Sequence, residues 1–166
     1  MFDRILIPTD GSEASERAAP YAVRLAETFD AKLYVMYVID TEAVSQALGS
    51  EQVDRIEAGQ FGEMTELHEE AAGAIDRMRD YGAESDVEIE PVIDAGIPHE
   101  VITNFADEED VDCILMTSQG RGGVKRMLLG SVTERVTRST EVPVMVVDAE
   151  SEQFELEAGE LVSEAA

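Results

Sequence analysis

The chain runs to 166 residues, 44% of them hydrophobic, which suits one domain with a two-sided core, and its lone cysteine excludes an internal disulfide or a multi-cysteine metal cage. Against 12 Lys and Arg stand 37 Asp and Glu, and the net charge of −25 excludes duplex nucleic acid and anionic membrane as partners. Two of the cations are lysines, Lys32 and Lys125; an acidic, lysine-poor surface suits concentrated salt, where the Debye length falls from about 10 Å at 0.1 M to about 3 Å at 1 M, so a halophilic, haloarchaeal-like protein is expected.

The first residues pass directly into a strand, and no apolar run reaches the roughly 18 residues of a membrane span, so a cytoplasmic protein is expected. Residues 4–9 form a short, nearly continuous apolar run, as in a parallel strand covered on both faces. From 12 to 29, Ala18, Ala22, Leu25, Ala26 and Phe29 mark one helical stripe that starts at Ser12-Glu13, and Pro20 is expected to kink it. A second strand follows at 33–39. Residues 40–62 are weakly patterned and read as a long connection or partial lid. Met64, Leu67, Ala71, Ala74, Ile75, Met78 and Tyr81 then recur at three and four, until Gly82 stops the helix. Residues 87–93 alternate and contain Pro91, which fits an edge strand.

Pro98 suits the first turn of a helix carrying Val101, Ile102, Phe105 and Ala106. Residues 112–116 are the fourth strand, and within it Cys113 reads as a buried thiol rather than a nucleophile. Ser131 and Glu134 have the spacing of a capping box for a last helix, which ends before Pro143, and 144–147 is the fifth strand. The order βαβαβαβαβ predicts an α/β fold, an open five-stranded parallel sheet with right-handed crossovers and helices on both faces. Residues 149–166 hold six Glu and no cation, an acidic tail beyond a domain at 1–148.

In such sheets ligands bind beyond the carboxyl ends of strands, where the winding reverses. Two segments there carry suitable chemistry: Pro8-Thr9-Asp10-Gly11-Ser12 after the first strand, and the run from Thr117 to Thr133 after the fourth. Together with the residues that follow it, so over 121–138, the second has Arg121, Lys125, Arg126, Arg135 and Arg138 against Glu134 alone, a local charge of five minus one, +4. Glycines, cations and a helix start together suit a phosphate; the plain alternative is a Gly-shaped turn whose arginines offset nearby acids. No Gly-x4-Gly-Lys-Ser/Thr occurs, and Gly120-Arg121-Gly122-Gly123 is too short for a dinucleotide fingerprint. His68 and His99 lack partners at metal-ligand spacing and read as surface residues, so no metal site is expected.

Ile5-Leu6-Ile7-Pro8-Thr9-Asp10-Gly11-Ser12, Gly96-Ile97-Pro98, Leu129-Gly130-Ser131-Val132-Thr133 and Val142-Pro143-Val144-Met145 are ordered landmarks in which the chain resembles the universal stress protein family. The resemblance implies an adenine nucleotide alpha hydrolase-like sheet of order 3-2-1-4-5, and a homodimer paired through strand five. It also implies ATP or another adenine nucleotide, with or without Mg²⁺, held at the ends of strands one and four. Asp10 and the backbone of Val38 would then serve ribose and adenine, with Pro8, Thr9 and Met116 lining the pocket, and Gly120, Gly130, Ser131, Val132 and Thr133 would hold phosphates. Each has a plainer reading: Asp10 as a turn residue, Val38 as strand core, Ser131 as an N-cap. The nucleotide-binding branch has Gly where this chain has Thr117, a departure that crowds the backbone's approach to the ligand. The resemblance favours a non-enzymatic nucleotide-binding protein of stress response and signalling; a slow ATP hydrolase and a structural partner that has lost its nucleotide are the alternatives.

Overall fold

The computed structural model describes residues 1–58, 65–119 and 129–148. Five strands make one parallel sheet: β1 (Arg4–Thr9), β2 (Lys32–Asp40), β3 (Ile89–Gly96), β4 (Cys113–Thr117) and β5 (Val144–Val147), in the order β3-β2-β1-β4-β5. The expected architecture and strand order are both observed. Register is set by residues that alternate between the two faces: Ile5, Ile7, Leu33 and Val35 belong to one core layer, Leu6, Met36, Ile114 and Met116 to the other.

α2 (Ala19–Phe29) and α5 (Thr65–Asp80) cover the first layer, largely with alanines, Ala22, Ala26, Ala71 and Ala74, which let helix backbones approach closely where aromatic residues are scarce. α6 (Pro98–Glu108) and α7 (Ser131–Ser139) cover the second through Ile102, Ala106 and Val136. The start of β1 is tied to the approach to β4 by Asp112, whose Oδ2 accepts from the amides of Asp3 (2.8 Å) and Arg4 (2.9 Å).

Three expectations about local structure need correction. Pro20 does not kink a helix: the segment divides into α1 (Glu13–Glu16) and α2, and Pro20 sits in the first turn of α2, where its missing N–H and fixed φ are tolerated. The connection at 40–62 is helical as far as it is described, as α3 (Thr41–Leu48) and α4 (Ser50–Glu57), and Asp40 caps α3 by accepting from the amides of Glu42 (3.0 Å) and Ala43 (3.1 Å). The third strand begins two residues later than expected and runs to Gly96. It is an edge strand, as its alternation implies. The carbonyl of Glu88 accepts from Leu33 N (2.9 Å), a phase that turns the main chain of Pro91 away from β2, so proline removes no ladder bond. Cys113 is buried, and burial pushes its thiol pKa up. The acidic tail at 149–166 lies outside the described residues.

Candidate functional site

The carboxyl ends of β1, β2 and β4 open into a cavity of about 660 Å³, walled on its far sides by α3, α5, α6 and the start of α7. Ten of the eleven nucleotide-binding residues expected from the sequence line it. Pro8, Thr9 and Asp10 come from the end of β1, Val38 from β2, Met116 and Thr117 from β4, and Gly130, Ser131, Val132 and Thr133 from the start of α7. Gly120 lies outside the described residues, as do Arg121, Lys125 and Arg126.

The β1–α1 loop holds its shape through its own short polar side chains. Thr9 Oγ1 accepts from Gly11 N (3.1 Å) and lies 2.9 Å from Ser15 Oγ; Asp10 Oδ1 accepts from Ser12 N (2.9 Å); Ser12 caps α1 by accepting from Ser15 N (3.1 Å). Gly11 sits at φ 75°, left-handed backbone in which a side chain is strained. Asp10 is therefore both a turn residue and a wall of the cavity, and its two readings do not compete. The same holds for Val38, which packs on the second core layer and also lines the cavity.

At the opposite wall the hydroxyls of Thr117 and Thr133 are bonded to the protein. Thr117 is buried and its Oγ1 donates to the carbonyl of Gln119 at 2.5 Å; Thr133, also buried, donates from Oγ1 to the carbonyl of Thr117 at 2.9 Å. Gly130 N donates to Ser118 O (2.7 Å), and Ser118 N to Val147 O (2.8 Å), so the start of α7 hangs on β4 and β5. The capping box expected at Ser131 and Glu134 does not form. Gly130 is the N-cap and contributes no side chain, Ser131 is the first helical residue and is exposed, and Glu134 instead meets Arg138 (3.1 Å). The helix thus presents its first turn to the cavity without a side-chain cap, an arrangement suited to an anion. Of the described cations of the basic segment, Arg135 and Arg138 are exposed on α7 and do not line the cavity.

Sequence reasoning missed the remaining wall: Ala43, Val44 and Ala47 of α3, Leu67 and Glu70 of α5, Pro98 and Ile102 of α6. Tyr37 OH donates to Glu70 Oε1 at 3.4 Å across this side. The signal for α3 is present in the sequence, as Asp40 before an acidic first turn and apolar residues at 43, 44 and 47. Among the described residues no group of three or more His, Cys, Asp or Glu could hold a metal, and no helix is long and apolar enough to cross a membrane.

The family model of the Universal stress protein family matches residues 1–148. The chain belongs to the universal stress protein family. It is 36% identical over 148 residues to the universal stress protein MJ0531 of Methanocaldococcus jannaschii, covering 89% of this chain and 82% of that protein. The solved structure of MJ0577, from the same organism, superposes with a TM-score of 0.75 at 30% identity, covering 92% of this chain and 99% of that one. A universal stress protein of Archaeoglobus fulgidus in complex with dAMP shares the fold at a TM-score of 0.59 and 20% identity, covering 89% of this chain and 98% of that one. In this universal stress protein the landmark Gly96-Ile97-Pro98 has a physical basis: Gly96 lies at φ 153°, a Cβ there would stand 2.7 Å from Val101 Cγ2, and Pro98 starts α6 and lines the cavity.

Proposed function

We propose that this universal stress protein binds an adenine nucleotide, ATP or a close relative, at the ends of β1 and β4. The observation that carries the reading is the convergence of Pro8, Asp10, Val38, Met116, Gly130 and Ser131, which are scattered over more than 120 residues of sequence, on one cavity of about 660 Å³. The residues suit the ligand. Pro8, Val38 and Met116 offer apolar surface to a base, Asp10 offers a carboxylate to ribose hydroxyls, and the start of α7 offers amides and a favourable dipole to phosphates. A related protein of this fold binds dAMP. Magnesium would enter on the phosphates of its nucleotide.

The protein acts in this reading as a binding module of stress signalling and not as a hydrolase. Asp10 and Asp40 each commit an oxygen to backbone amides, and Glu70 accepts from Tyr37, an arrangement that supports shape and orientation more than proton transfer at a phosphate. Its assembly is a homodimer joined along β5, an edge strand whose Met145 and Val146 are exposed, and its acidic surface is adapted to concentrated salt. Mass spectrometry of the small molecules released from gently purified protein tests the central claim, with calorimetric titration of ATP and Mg²⁺ beside it. An adenine nucleotide in stoichiometric amount, or saturable binding, supports it. If neither appears at millimolar ligand, the protein is a structural partner that does not use this cavity for nucleotides.

A further inference from the structure

α5 is fixed against the sheet by Ala71, Ala74, Ile75 and Met78, all buried, so its polar face is not needed to hold it in place. From that face Arg77 reaches across to the β1–α1 loop. Its Nε donates to Glu16 Oε1 at 2.5 Å, and its Nη2 donates to the carbonyl of Gly11 at 3.3 Å. These contacts join residues 61 and 66 positions apart, whereas the bonds that shape the loop from within, between Thr9 and Ser15, span two to six. The loop needs such a tie. α1 has four residues, too few to be stable alone, and Gly11, at φ 75°, stands directly after Asp10 in the cavity wall. The Glu16 side chain is 16% exposed and that of Arg77 50%, so the carboxylate is largely sheltered while the guanidinium closes over it from solvent.

We infer that Arg77 is a positioning residue for the nucleotide: it grips Gly11 and Glu16 from outside and so fixes the loop that presents Thr9 and Asp10 to the cavity. Arg77 does not itself line the cavity. A loop already held in its binding conformation leaves the ligand less ordering entropy to overcome. The planar guanidinium engages a carboxylate and a carbonyl together with its geometry preset, which a lysine ammonium on a flexible stem does poorly. The inference rests on the nucleotide reading, and its test separates the two.

ATP is titrated calorimetrically into the parent protein, Arg77→Met, Arg77→Lys, Glu16→Ala and the double variant Glu16→Ala/Arg77→Met, with the thermal midpoint of each recorded. Arg77→Met and Glu16→Ala are each expected to weaken ATP binding about three- to ten-fold, with Arg77→Lys recovering part of the loss. The double variant should be little worse than either single one, because both remove the same clamp. The ratio of variant to parent Kd should also shrink as salt rises from about 0.1 M to about 1 M, since the ion pair is half-exposed and screened. A purely structural Arg77 would lower the midpoint and leave Kd unchanged. If the parent binds ATP and every variant binds equally well, or if the two single losses add in full, the positioning role is wrong while the nucleotide site stands. If the parent does not bind, both fall.

Discussion

Thr117 stands where the nucleotide-binding branch of the family has glycine, and its hydroxyl closes the turn onto Gln119 and is not offered to a ligand. Thr117→Val keeps the shape and removes the donor. With the Gln119 carbonyl deprived of it, the fold should lose about 1–2 kcal/mol, a fall of about 2–8 °C in melting temperature, measurable by scanning calorimetry. An unchanged midpoint would mean that the bond contributes nothing. Gly130 is a cleaner probe of the ligand. Its φ of −59° and ψ of 154° are open to any residue, so Gly130→Val should fold, yet its branched side chain would stand at the start of α7, where the proposed nucleotide would bring its phosphate oxygens. Loss of one charge-assisted contact corresponds to about 1.5–3 kcal/mol, roughly ten-fold or more in Kd. Calorimetry showing parent-like ATP affinity in Gly130→Val would remove phosphate from the α7 end of the cavity.

Among the elements, α3 is the one whose discovery changes the site most. A segment that reads as a long connection or partial lid begins as a helix capped by Asp40, and its Ala43, Val44 and Ala47 make a wall of the cavity. Removing the cap with Asp40→Ala should destabilise α3 by about 0.5–2 kcal/mol, seen as faster amide exchange through 41–48 with little change at β1 and β4, which lie inside the sheet and not at its edges. Equal acceleration throughout the sheet would show that α3 is integral to the core and not a separable wall. Pro20 and Pro98 teach a related point: each occupies the first turn of a helix, so a proline inside an apolar stripe can mark where a new helix begins.

Over the whole molecule, charge and the open sheet edge set the expectations. With a net charge of −25, self-repulsion should be strong in dilute buffer and screened in brine. The melting temperature should therefore climb as chloride salts rise from about 0.1 M towards 1 M and beyond. A flat profile would dispose of the halophilic reading. β5 pairs with β4 on one side and, among the described residues, has no strand on the other, and Met145 and Val146 are 39% and 37% exposed. Light scattering at micromolar concentration in high salt should give the mass of a dimer, and Val146→Lys should shift it to a monomer by placing charge on the joined edge. A monomeric parent would refute pairing through β5.

The sequence by itself determined the five strands and the parallel sheet, because short apolar runs, periodic helices and Gly-rich junctions are local signals, while the strand order and ten of the residues around the cavity came from the resemblance that its motifs carry. Tertiary structure alone decided what those residues do. Whether the hydroxyl of Thr133 faces a ligand or the carbonyl of Thr117 depends on where β4 ends relative to α7, and Gly130 rather than Ser131 caps α7 because the Gly130 amide is held by Ser118. The clamp from Arg77 to Gly11 and Glu16 was invisible for the same reason: it joins residues more than 60 positions apart, and no pattern along the chain records which side chains meet once the helices pack on the sheet.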